Sequence, residues 1–250
     1  MTDEFYFDAN CRWGLSTKPN IGSLDQPDAV QVEGRRCGVD KLLAYHTQAK
    51  EWSPELGNAA LGPVMDEHDE VVGCWVVDPA LARDGRTAQR LVQEIVAAGF
   101  RAVRLCPDAA NHDVDLSTAG FLTGALADRS VPLIIDTAIP DWKAIAALAT
   151  SAPRLPVIVS GFGYRHGRTL LPVLDSCPNM AVESSTFVAH GAVEELVTEF
   201  SASRIVFGTN APIYSIGAAV ARIAYADVSD DDRRLIAGGT LLHLIEQVQQ

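Results

Sequence analysis

No run in this chain approaches the roughly 20 consecutive apolar residues that a membrane-spanning helix needs. Cysteine is scarce and scattered. Cys11, Cys37, Cys74, Cys106 and Cys177 form an odd set without a CxxC pair, which excludes a disulfide framework or a structural zinc knuckle and leaves buried free thiols. Positive charge is short as well: 20 Lys and Arg stand against 32 Asp and Glu, a net charge of −12 with no compensating basic run. Such a surface repels phosphate backbones and anionic membranes, so neither nucleic acid nor a membrane is an expected partner. The start, MTDEFYFDAN, has acids where a secretion signal has a basic stretch and an apolar one, so it reads as a folded first strand of a cytoplasmic protein. Gly/Ser linkers, low-complexity tracts and long-period repeats are missing too, which predicts one domain over residues 1–250.

What is present is a regular alternation of short apolar runs and longer amphipathic stretches. The runs predict strands over Phe5–Cys11, Lys41–Thr47, Val71–Asp78, Phe100–Cys106, Val131–Thr137, Leu155–Gly161, Met180–Ser185 and Arg204–Thr209. Helices are predicted over Pro54–Glu67, Thr87–Ala98, Thr118–Asp128, Trp142–Ala149, Thr169–Asp175, Val193–Phe200 and Ile216–Tyr225, with one or two more from Asp230 onward. Ser53 before Pro54 reads as a cap with proline in the first turn, and Gly99 as a helix stop. Eight strands separated by helices in 250 residues is the count of a closed parallel (β/α)8 TIM barrel. An open doubly wound sheet would show a glycine-rich phosphate loop after its first strand, where DANCRWG stands instead.

In such barrels the chemistry sits at the carboxyl ends of the strands. Alternation turns Val103 and Leu105 outward and Arg104 and Cys106 inward, and likewise sends Leu133 and Ile135 out and Asp136 in. The same parity puts Asp8, Asn10 and Arg12 at the end of strand one, His46 on strand two, Ser160 on strand six, Glu183 and Ser185 on strand seven, and Asn210 on strand eight. Burying so many polar groups unpaired would cost about 1–3 kcal/mol each, which implies a hydrated or ligand-filled mouth.

The segments FDANCRWG, GFRAVRLCP, VPLIIDT, LPVIVSGFG, NMAVESS and RIVFGTNAP, followed by RRLIAGGTLLHLI, resemble the amidohydrolase superfamily, in its amidohydrolase-related branch of small-molecule hydrolases and decarboxylases. The resemblance implies a His-x-His pair after strand one, histidines after strands five and six, and an aspartate after strand eight, together holding a catalytic divalent metal. Here those positions read Asn10 and Arg12, Asp136, Ser160 and Asn210. A guanidinium beside such a set opposes a dication, so neither a metal nor another cofactor is expected, a metal site rebuilt from His46, Asp136 and Glu183 being the alternative.

Two readings of the mouth stand side by side. In one, Arg12 and Arg104 hold the carboxylate of a small anionic metabolite, with Asn10, Ser160, Glu183 and Asn210 lining the site, and Asp136 or His46 activating water. That describes a metal-independent hydrolase of a small carboxylated amide, ester or lactone, for which metal-free lactonases of the superfamily are a precedent by resemblance. In the other, the charges form a self-neutralising network in a catalytically silent barrel that binds a metabolite or a protein. Ser160 and Ser185 lack a GxSxG elbow and read as lining. Trp13 and the run Tyr164-Arg165-His166 suit either a rim or ordinary packing, and Asp230-Asp231-Asp232 is an acidic helix start. The resemblance allows a homodimer, with no sequence seam to mark an interface.

Overall fold

Four-residue runs such as LIID, VIVS and MAVE are too short for helices and rich in branched residues, and they form fully buried parallel strands. The computed structural model describes residues 4–18, 24–107 and 116–249. Within them β1 (Phe7–Trp13), β2 (Lys41–His46), β3 (Val71–Val76), β4 (Ala102–Leu105), β5 (Leu133–Asp136), β6 (Val157–Ser160), β7 (Met180–Glu183) and β8 (Ile205–Val206) pair in parallel in chain order. The seam closes where the Ala9 N–H donates to the Phe207 carbonyl at 2.9 Å and Cys11 bridges Ala211. The fold is therefore the (β/α)8 barrel expected.

The helices that cover it are α1 (Pro27–Cys37), α2 (Thr47–Glu51), α3 (Pro54–Glu67), α4 (Gly85–Ala97), α5 (Gly120–Asp128) and α6 (Trp142–Ser151). They continue with α7 (Gly167–Ser176), α8 (Ala192–Glu199), α9 (Ile216–Ala224), α10 (Asp230–Arg234) and α11 (Thr240–Glu246). Sequence reasoning placed α3 to the residue, and its cap is real: Ser53 Oγ accepts from the Leu56 N–H at 3.3 Å. It placed the start of α4 two residues late, because the cap is Asp84 paired with Thr87 in a capping box. Helices α1 and α2 are additions. The acidic run is the first turn of α10, with Asp230 and Asp231 paired to Arg233 and Arg234.

Outward residues Val103, Leu105, Leu133 and Ile135 pack under the helices, while Phe7, Leu43, Cys74, Ala102, Ile134 and Ile158 fill the barrel. Cys11, Cys74, Cys106 and Cys177 are buried free thiols, whereas Cys37 is half-buried. One irregularity matters for the site. In β1 the register shifts between Asp8 and Cys11, so that Ala9 and Asn10 together oppose Leu43, a bulge with one extra residue. Phe7 and Ala9 face inward before it, Cys11 and Trp13 outward after it. Strict alternation is corrected here: the bulge is what delivers Asn10 and Arg12 to the mouth. Asp8 instead lies at the seam, where it accepts from Asn10 N–H at 2.8 Å, Thr209 N–H at 2.9 Å and Thr209 Oγ1.

Candidate active site

Above the apolar filling of the barrel, the last inward residues of the strands bring charge together. Arg104 on β4 is wholly buried, with its guanidinium 4.3 Å from the Tyr45 ring centroid. Its Nη1 donates to Asp136 Oδ2 at 3.0 Å and to Ser160 Oγ at 3.4 Å, and its Nη2 to the Ala9 carbonyl at 3.1 Å. Lys50, projecting from α2, reaches the same Asp136 oxygen at 2.8 Å. Arg12 lies nearer the opening, 3.7 Å from Glu51 and 6.0 Å from the Tyr45 ring. Burial would raise the Asp136 carboxyl, but Lys50 and Arg104 outweigh it and hold the group well below the usual carboxylate range. A glycine follows for a reason: Gly161 has φ +84°, and a Cβ there would come within 2.8 Å of Asp136 Oδ1.

A second cluster lies on the β1, β7 and β8 side. Glu183 Oε2 accepts from Asn10 Nδ2 at 2.9 Å and Ser185 Oγ at 2.8 Å, while Oε1 accepts from the Ser185 N–H. Burial raises its carboxyl to about 7, against the pull of those bonds, with Asp8 adding to the rise. Gly208 packs against this carboxylate so closely that any Cβ would overlap it. Asn10 Oδ1 is buried without a hydrogen-bond partner. Asn210, at φ 53°, takes the left-handed conformation that asparagine tolerates, and is only partly buried.

His46 is placed differently from the expectation. Leu43 and Tyr45 are the inward residues of β2, so Tyr45 enters the barrel and His46 turns away. Its Nδ1 accepts from the Gln48 N–H at 3.2 Å, capping α2, and burial lowers its pKa. It lines a cavity of about 530 Å³ with Trp13, Glu51 and Trp52. Neither that cavity nor one of about 400 Å³ between α7 and α8 includes Asp136, Arg104 or Glu183 in its walls. Six expected residues therefore gather at the mouth, namely Asn10, Arg12, Arg104, Asp136, Ser160 and Glu183, and Asn210 borders it. Arg104, Ser160 and Glu183 lie beneath it, with no exposed surface.

Lys50 and Tyr45 were missed. The signal for Lys50 was local: His46 followed by TQAKE is a capped helical turn, one step past the predicted strand end. Among the described residues no three His, Cys, Asp or Glu side chains gather as metal ligands would, and no helix is long and apolar enough to cross a membrane.

A parallel barrel with a polar cluster at the carboxyl ends of its strands defines a (β/α)8 protein with an enzyme-like mouth. The chain belongs to the amidohydrolase family, whose sequence profile matches residues 55–240. Among solved structures it resembles an uncharacterized TIM-barrel protein from Bordetella bronchiseptica, at 18% identity over 97% of this chain and 98% of that one, with a TM-score of 0.78. It is also similar to 2,6-dihydroxybenzoate decarboxylase from Rhizobium, at 15% identity over 97% and 99% of the two chains and a TM-score of 0.76. The 5-carboxyvanillate decarboxylase from Sphingomonas paucimobilis follows, at 12% identity over 98% and 99% and a TM-score of 0.74. No curated protein matches the sequence.

Proposed function

We propose that the mouth binds a small carboxylate and hydrolyses an amide, ester or lactone bond in it without a divalent metal. The observation that carries this reading is the convergence of Arg12, Lys50 and Arg104 on Asp136 and Glu51, three cations about two carboxylates. Arg12 and Lys50 are the members nearest solvent and the ones placed to meet an anion. The compounds named for two solved neighbours, 2,6-dihydroxybenzoate and 5-carboxyvanillate, are anions of the same class.

The donor set argues against a dication. Where the family places imidazoles and a carboxylate, this chain has Asn10, Arg12, Asp136, Ser160 and Asn210, and the one carboxylate among them already holds an ammonium and a guanidinium. Proton movement falls to Glu183 rather than Asp136, because a carboxylate so strongly stabilised by cations is a weak base, whereas one near 7 suits the task. Water forms the new bond to the substrate carbonyl carbon and gives a proton to Ser185 Oγ, as the Ser185 proton moves to Glu183 Oε2. The amine or alcohol then leaves with the proton returned along the same path. Arg104 acts as a positioning residue that holds Asp136 and Ser160.

The test is a screen of small carboxylated amides, esters and lactones with the chelator EDTA present throughout. Turnover that survives the chelator is expected, with Arg12→Met raising KM about tenfold and Glu183→Gln lowering kcat about a hundredfold. Turnover that appears only with added zinc or manganese sinks the metal-free mechanism. A second reading, a silent carboxylate-binding barrel, is favoured by the burial of Glu183, Arg104 and Ser160. Thermal stabilisation by carboxylates together with a flat screen would establish it.

A further inference from the structure

We infer that the cavity between α7 and α8 is a second ligand site, built for an apolar carboxylate and separate from the mouth. Its volume of about 400 Å³ lies in the range of small-molecule sites. Phe162 and Phe187, from the loops after β6 and β7, and Leu170, Leu171 and Leu196, from α7 and α8, make its apolar lining. The two phenylalanines stand edge to face, with ring centroids 6.4 Å apart, and give the lining an aromatic surface suited to a hydrocarbon or aromatic body.

Charge at the rim gives the polarity. Arg165 and Arg168 both line the opening and are exposed, and among the described residues neither pairs with a carboxylate. Two guanidiniums at the opening of an apolar cavity suit a single carboxylate. The N-terminus of α7 adds to the same potential, since it begins at Gly167 on the cavity wall with no side-chain cap. Glu195, across on α8, orients the ligand with its anion toward α7 and its apolar end away. A further polar group is unclaimed: Thr186 lines the cavity, is more than nine-tenths buried, and its hydroxyl has no hydrogen-bond partner. The scarcity of other polar groups in the lining excludes sugars and nucleotides, which would bring hydroxyls with nothing to meet them.

The site adjoins the chemistry through the chain itself. Phe162 lies two residues beyond Ser160, and Thr186 follows Ser185, so the strand ends that supply the mouth also supply this cavity. No wall residue is shared with the mouth cluster, however, and that separation makes the two sites distinguishable.

The experiment follows leucine methyl resonances of the protein during titration with phenylacetate, with phenylacetamide and phenethylamine as neutral and cationic counterparts. Phenylacetate is expected to shift Leu170, Leu171 and Leu196, to bind at least tenfold more weakly to an Arg165→Gln/Arg168→Gln variant, and to retain those shifts in Arg12→Met. Both arginines are exposed, so their removal leaves the fold intact. The inference is overturned if these leucines do not move, if phenylacetamide binds as tightly as phenylacetate, or if Arg12→Met alone abolishes the response. The last result would place all carboxylate binding in the mouth and leave the proposed hydrolase standing, whereas loss in the double variant alone supports the second site whatever the mouth does.

Discussion

Lys50 and Arg104 share one oxygen of Asp136, so removing that carboxylate leaves a fully buried guanidinium facing a partly buried ammonium. Breaking a buried pair in this way costs about 3–5 kcal/mol, and Asp136→Asn is expected to lose that much in urea denaturation, more than Lys50→Met, whose partner keeps Arg104. A loss under 1 kcal/mol would mean that the cluster is not held together as described. Glu183 contributes with the opposite pH dependence. Folded, it keeps its proton up to about pH 7, whereas an ordinary glutamate releases it near 4.5. Between those values the folded protein binds more protons than the unfolded chain, so stability from this group falls as pH rises, by about 3 kcal/mol across the window. Comparing wild type with Glu183→Gln from pH 4.5 to 7.5 checks this: the stability gap between them should shift by that amount in favour of the variant, and a constant gap refutes it. Under the proposed chemistry, the same carboxyl makes kcat climb as pH passes through about 7.

At the scale of elements, the short helix α2 decides two placements. His46 caps it, and Lys50 rides on its last turn. Replacing His46 with alanine should therefore cost about 1 kcal/mol in stability and leave kcat within about twofold, as for any lost cap. A fall in kcat beyond tenfold with unchanged stability would return His46 to the chemistry. The strands and most helices were legible in the sequence because barrel strands are unbroken runs of Val, Ile and Leu, and because caps such as Ser53 announce themselves. Parity was legible wherever a strand is regular: Arg104, Asp136, Ser160 and Glu183 were placed by alternation alone. It failed at β2, where Tyr45 and His46 are both amphipathic and the apolar pattern does not choose between them. On β1 it reached Asn10 and Arg12 by the wrong route, since a bulge leaves no mark in the alternation. Lys50 escaped because a five-residue helix has too little periodicity to announce itself.

For the molecule as a whole, a net charge of −12 surrounds a mouth in which Arg12, Lys50 and Arg104 meet Asp136 and Glu51. Surface acids repel one another over distances that salt shortens, whereas the buried cluster is nearly immune to screening. Raising NaCl from about 10 to about 150 mM, which cuts the Debye length from about 30 to about 8 Å, is expected to raise Tm by about 1–3 °C. A Tm that falls instead would assign the dominant electrostatics to surface pairs such as Arg90 with Glu94 rather than to global repulsion. Family membership fixes the scaffold over most of the chain, and a scaffold of this kind does not by itself fix what it holds.

The extra residue in β1 makes chain length, rather than residue type, the variable that sets the mouth. A barrel one residue shorter at Asn10 keeps Cys11 outward and Arg12 inward, since the strand simply regains its alternation. What disappears is the amide above Glu183, and with it one of the three bonds that restrain that carboxyl. A single-codon deletion would thus keep Arg12 at the mouth while raising the pKa of the carboxyl beneath it.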